Sequence, residues 1–170
     1  VIIIGFGTNE RWSSRLIRWA TESDWSHCWI EFKSLGDTWV IHSGPDGVVL
    51  IPGERVDELY TERSLYELDI TIENVHSGFR WARDRVGADY DYGVIWNCIL
   101  LLLWRSTKWK FLWKLVVRNA SRFSCSEFVT SFLIAAKVPG TATLDPETVY
   151  PGMLEKFCDD SEHCHWRGHE

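Results

Sequence analysis

No two cysteines in this chain form a Cys-x-x-Cys pair, and the five present (Cys28, Cys98, Cys125, Cys158 and Cys164) are odd in number. Neither a zinc module nor the disulfide framework of a small secreted domain is indicated, and a reducing compartment suits them. There is no Gly-rich phosphate loop and no Gly-x-Ser-x-Gly elbow, which argues against P-loop nucleotide chemistry and the serine mechanism of α/β-hydrolases. No apolar run approaches the roughly 20 residues of a membrane-crossing helix. The Val-Ile-Ile-Ile-Gly opening has neither a basic n-region nor a small-residue cleavage site, so it reads as a strand rather than a signal peptide. The expected setting is therefore cytoplasmic or inside a virion.

Positive charge is also scarce. The net charge is −6, which argues against a nucleic-acid partner, because phosphate binding draws on concentrated Lys and Arg. The distribution is uneven, however. Residues 93–126 carry Arg105, Lys108, Lys110, Lys114, Arg118 and Arg122 with no acid, so the remainder holds 12 basic against 24 acidic residues. One positive segment sits on an acidic body.

What the chain has is length for one domain, 170 residues, and enough apolar side chains, 45%, to bury a core. It also has 11 Trp, several beside Arg or Lys as in Arg11-Trp12 and Arg18-Trp19, and most are expected to be core or half-buried packing residues. The first seven residues read as a buried strand and residues 11–22 as a short helix. The runs HCWIEF, TWVIHS and GVVLI, separated by turn clusters, predict an antiparallel meander, joined by a further strand near Leu65 to Ile70. Val75, Phe79, Ala82 and Val86 define one face of a helix over 73–86. The apolar run 94–104 and the aromatic and basic run 109–117 predict a helical hairpin. Residues 124–137 form the clearest helix, opened by a Ser124/Glu127 capping box and closed by Val138-Pro139-Gly140. Asp145-Pro146-Glu147 predicts another helix start. From Cys158 onward the chain reads as a loose polar tail. It holds His163, Cys164, His165 and His169, but their spacing matches no known metal site, and no metal or other cofactor is implied.

The chemistry concentrates at Cys125. A thiol in the first turn of a helix meets unpaired N–H groups and the positive end of the helix dipole, and both favour thiolate. A small buried core cysteine is the competing explanation. For a base, His163, His165 and His169 fall in the tail and His76 shares a polar helix face with Arg80 and Arg83. That leaves His27 and His42, which begin and end neighbouring strands of a hairpin, where one imidazole can orient the other.

Three segments carry a family resemblance. Trp25-Ser26-His27 before a strand, followed by Val40-Ile41-His42-Ser43-Gly44 and Gly47-Val48, resembles the paired strands of NlpC-type murein endopeptidases. Phe123-Ser124-Cys125-Ser126-Glu127-Phe128 resembles their nucleophile helix, and Gly87-Ala88-Asp89-Tyr90-Asp91-Tyr92-Gly93 their Gly-x-x-Tyr segment. Here the Cys helix follows the His strands, as in the permuted branch that includes YiiX-like bacterial proteins and lecithin:retinol acyltransferase relatives. The resemblance implies an α+β, permuted papain-like fold over residues 1–157. An antiparallel sheet would pack against a central helix carrying the nucleophilic Cys at its N-terminus, with a 93–122 insertion and a 158–170 tail outside the common pattern.

By position it assigns Cys125 as nucleophile, His27 as base, His42 as orienting residue and Tyr90 as oxyanion support. Glu31 stays open as an alternative third residue, because the loop from His27 to His42 is long. The implied activity is a cysteine hydrolase acting through an acyl-enzyme, first on bacterial cell-wall peptide as an endopeptidase or amidase, with a bacteriophage source expected. Two alternatives stand beside it. One is a thioesterase, lipase or acyltransferase on acyl-lipid, with residues 94–122 contacting an anionic surface. The other is a catalytically silent papain-fold module of a larger assembly.

Overall fold

The structure is a computed structural model that describes residues 1–107 and 122–169. The mixed α and β architecture expected from the sequence is present. Six strands form one antiparallel sheet: β1 (Ile2–Thr8), β2 (His27–Ser34), β3 (Asp37–Gly44), β4 (Gly47–Pro52), β5 (Glu62–Leu68) and β6 (Cys164–His169), in the order β4-β3-β2-β1-β5-β6. The described helices are α1 (Trp12–Thr21), α2 (Glu54–Leu59), α3 (Ile72–Arg83), α4 (Gly93–Thr107), α5 (Cys125–Ala135) and α6 (Pro151–Asp160).

Helix α5 is the centre of the main core. Phe128, Val129, Phe132 and Leu133 are wholly buried, together with Ile4, Phe6 and Ile30 of the sheet and Leu154 of α6. Both hydrogen bonds of the capping box are formed: Glu127 N–H donates to Ser124 Oγ at 3.3 Å and Ser124 N–H to Glu127 Oε2 at 3.3 Å. The opposite face of the sheet carries a smaller cluster of Trp29, Val40, Val56 and Leu65, which α2 helps to close. A third cluster, Ile17, Ala20 and Cys98, joins α1 to α4.

Several expectations are corrected. Residues 164–169 are strand β6, not part of a loose tail; they pair with β5 and Asp69 N–H donates to the His163 carbonyl at 2.9 Å. Pairing with the open edge of β5 supplies the backbone partners that the polar side chains did not advertise. Cys158 lies buried in α6. Asp145-Pro146-Glu147 opens only a turn, in which Asp145 Oδ1 accepts from Glu147 N–H at 3.2 Å, and the helix starts later with Pro151 at its first position. Tyr150 is extended, as a residue before proline prefers, so the turn does not run on into α6. Helix α3 ends at Arg83, leaving Val86 exposed rather than on the core face. Most of the described tryptophans are core or half-buried as expected, Trp25 and Trp29 buried and Trp39, Trp81 and Trp104 half-buried, whereas Trp12, Trp19, Trp96 and Trp166 are exposed. The apolar half of the expected hairpin is α4; its second half, with Lys108, Lys110, Lys114 and Arg118, lies outside the described residues. Among the described residues no helix is long and apolar enough to cross a membrane.

Phe132 packs edge-on against Phe79 of α3 with ring centroids 5.3 Å apart. Phe132→Ala would remove this wholly buried ring from the middle of the core. Urea unfolding followed by circular dichroism should show a loss of about 3–5 kcal/mol.

Candidate active site

The site is assembled where the ends of three elements meet. The β2–β3 register sets Ile30 against Ile41, and continued to the strand ends it sets His27 across from Gly44 and diagonal to His42. The two imidazoles meet there, His27 Nε2 to His42 Nδ1 at 2.9 Å, with the rings nearly perpendicular. Gly44 permits this. A Cβ at that position would lie 2.9 Å from Cε1 of His42, inside the ring's contact distance.

His42 is 7% exposed, and burial first, then the charge of His27, lowers its pKa to about 3. It is therefore a neutral ring at ordinary pH. One nitrogen of the pair donates and the other accepts, so His42 holds the His27 ring by its Nε2.

Cys125 is the first residue of α5, and its Sγ lies 4.0 Å from the Ser26 carbonyl oxygen. The hydrogen bond from the Cys28 thiol is the largest influence holding the Cys125 thiol well below the ordinary range. Burial opposes it, and the charge and hydrogen bond of His27 reinforce it. Cys28 is pushed up, first by burial and then by its bond to Cys125. The two neighbouring thiols are thus moved in opposite directions, Cys125 down and Cys28 up. Nothing in the sequence pattern singled out Cys28; strand alternation turns it away from the His27 face and towards α5.

Tyr60, which follows α2, is a second residue without a sequence signal. Its ring lies over His27 with centroids 5.1 Å apart and planes 11° from parallel, and over Trp29 at 5.2 Å. Gly7 makes room for this stack, since a Cβ there would come within 2.8 Å of Trp29 and 2.9 Å of Tyr60. Stacking of this kind fixes the plane of the imidazole.

Tyr90 is bridged to Phe123, two residues before Cys125. Its phenol is raised well above the ordinary value, chiefly by burial and next by Cys125, so it stays a protonated donor. Glu31 is not brought to the site. It lies four residues along β2 from His27, about 13 Å by strand rise, and is paired in register with Ile3 and Val40.

A cleft of about 520 Å³ opens beside His27, Ser26 and Tyr90. Trp12 and Ile17 of α1, Ile95, Trp96 and Ile99 of α4, and Tyr60 make its walls largely apolar, with Arg11 at its edge. The segment expected as an insertion therefore shapes the cleft directly. Cys125, 5% exposed, lies behind Ser26 and His27 rather than on the wall.

Brief alkylation with iodoacetamide near neutral pH, read by peptide mapping, should label Cys125 ahead of Cys98, whose pKa is raised to about 11 by burial. His27→Ala should slow Cys125 labelling by about tenfold, the effect of roughly one pKa unit on the thiolate fraction. Gly44→Ala should act in the same direction with a smaller effect, by pushing His42 off His27. Preferential labelling of Cys28 or Cys98 would be inconsistent with the site as described.

No family model matches the chain, and no curated protein matches it. Among solved structures, the crystal structure of metalloprotein YiiX from Escherichia coli O157:H7 is similar to it with a TM-score of 0.56 and 14% sequence identity. The similarity covers 99% of this chain and 96% of that one. Among the described residues of this chain, no group of three or more His, Cys, Asp and Glu side chains is placed to hold a metal ion. At this identity the likeness is one of fold, and it spans nearly the whole of both chains.

Proposed function

We propose that the protein is a cysteine hydrolase of the permuted papain-like kind. The observation that carries this reading is the placement of Cys125 at the capped N-terminus of α5, beside a His27 that is held by His42. The whole-length likeness to the YiiX fold supports it. In this mechanism the Cys125 thiolate attacks the acyl carbon. The resulting oxyanion is met by the backbone N–H of Cys125 and the phenol of Tyr90. Protonated His27 gives its proton to the leaving group as the bond to it breaks, leaving a thioester on Cys125. His27 then takes a proton from water, the hydroxide adds to the thioester, and the carboxylic product departs with Cys125 restored.

Amide bonds of bacterial cell-wall peptide are the first substrate that the family resemblance brings. The cleft favours a second, an acyl-lipid, because its walls are aromatic and aliphatic and no carboxylate lines it among the described residues.

One experiment separates these readings. The protein is incubated with purified murein and, separately, with phospholipid vesicles, and the products and the intact protein are weighed by mass spectrometry. Wild type should release fragments from one of the two and carry a transient acyl adduct on Cys125. Cys125→Ala and His27→Ala should each abolish release, whereas His42→Asn, which can still hydrogen-bond the ring, should keep measurable turnover. If neither substrate is processed and no adduct forms, the remaining reading is a catalytically silent papain-fold module.

A further inference from the structure

Helix α1 has the sequence Trp-Ser-Ser-Arg-Leu-Ile-Arg-Trp-Ala-Thr, and between Glu10 and Glu22 the chain holds three arginines and no acid. Its inner side is accounted for, since Ser14, Ile17, Ala20 and Thr21 are buried and the Ile17 and Ala20 side chains pack towards α4. Its outer stripe is Trp12, Arg15 and Trp19, spaced i, i+3, i+7 on one face. Trp12 is 71% exposed and Trp19 69%. A single exposed apolar side chain is ordinary. Two indoles two turns apart with an arginine between them, on a helix whose core contacts are already made, form a patch that the fold itself does not use.

The patch is positive on a protein of net charge −6, and among the described residues no ion pair joins Arg11, Arg15 or Arg18 to a carboxylate. It is also continuous with the cleft, because Trp12 and Arg11 line both. Helix α4 adds Trp96, Ile99 and Leu103 at the same i, i+3, i+7 spacing, each at least 36% exposed. Arg105 and Glu22 pair at 2.9 Å at the C-terminal ends of the two helices. Their N-terminal halves flank the cleft, so α1 and α4 run side by side with the cleft at one end of the pair.

We propose that the outer face of α1, with the adjoining rim of α4, docks on an anionic phospholipid bilayer and sets the mouth of the cleft against the lipid. Indole rings settle at the boundary between headgroups and acyl chains, where one edge is wet and the other dry. Arginines beside them are drawn to the negative leaflet, each contributing roughly fivefold in partitioning. Neither signal alone holds a protein at a membrane, and here one helix presents both. The inference uses no residue between 108 and 121 and does not depend on the chemistry of Cys125.

The test is co-sedimentation of the full chain with vesicles of mixed phosphatidylglycerol and phosphatidylcholine and with pure phosphatidylcholine, at low and high salt. Wild type, Arg15→Glu and Trp19→Ser are compared; both changes are at exposed sites away from the cleft, and circular dichroism checks that the fold is kept. Wild type should bind the anionic vesicles at low salt and be released by high salt. Arg15→Glu should weaken binding about tenfold or more, and Trp19→Ser several-fold. Absent binding, equal binding by wild type and both variants, or equal binding to neutral vesicles at all salt concentrations would overturn the proposal. So would self-association of wild type, seen by analytical ultracentrifugation, that both variants abolish. Cleavage of a small soluble thioester should be the same in wild type and both variants, so a failure of docking is distinguishable from a failure of the hydrolase reading.

Discussion

The backbone of Phe123 is fixed from two sides. Its carbonyl accepts from the Ser43 hydroxyl at 2.6 Å and from Asp91 N–H at 3.1 Å, while its own N–H donates to the Asp89 carbonyl at 3.2 Å. Ser43 belongs to the strand that carries His42, and Asp89 and Asp91 flank Tyr90. One residue later comes the cap of α5 and two residues later the Cys125 thiol. The backbone of a single residue therefore sets the Cys125 thiol, the histidine pair and Tyr90 against one another, although they come from segments far apart in the chain. The Gly87 and Ala88 backbone is itself held to β4, since Val48 N–H donates to the Ala88 carbonyl and Gly87 N–H to the Val48 carbonyl, both at 2.8 Å.

Burial then decides the charges. His42 and Cys125 are each under 9% exposed, so ionisation there depends on burial and local partners rather than on water. His42 is kept neutral, which lets it hold the His27 ring without competing for the proton. Cys28 and His27 draw the Cys125 thiol down against its burial, while burial and Cys125 push Cys28 up. The stacked Tyr60 closes the remaining face of His27, and the ring stack reaches Trp29, the largest wholly buried side chain. Removing Tyr60 would thus loosen the His27 ring and open the smaller core in one step.

The two faces of the sheet divide the labour. The α5 face holds the large core and makes the helix N-terminus rigid. At the strand ends, α1 and α4 form a separate small cluster whose inner side walls the cleft and whose outer side is left to solvent. That separation lets the cleft wall be apolar and aromatic without drawing on the main core.

The sequence by itself determined the elements with strong local signals. The capping box of α5, the alternating strands and the Gly44 to Gly47 turn are written in neighbouring residues, so Cys125 at a helix start and His27 and His42 at strand ends were legible. Strand β6 was not, because its polar residues 164–169 become a strand through pairing with the distant edge of β5. Tyr60 and Cys28 were invisible for a similar reason, since a ring stack and the approach of two thiols depend on contacts between segments that no spacing records. The same holds for Trp12 and Trp19: their indoles read as core material in composition, and only the packing of Ile17 and Ala20 against α4 turned them outward. Glu31 was excluded from the third position by register, because strand rise carries it away from the one end of β2 where α5 and β3 converge.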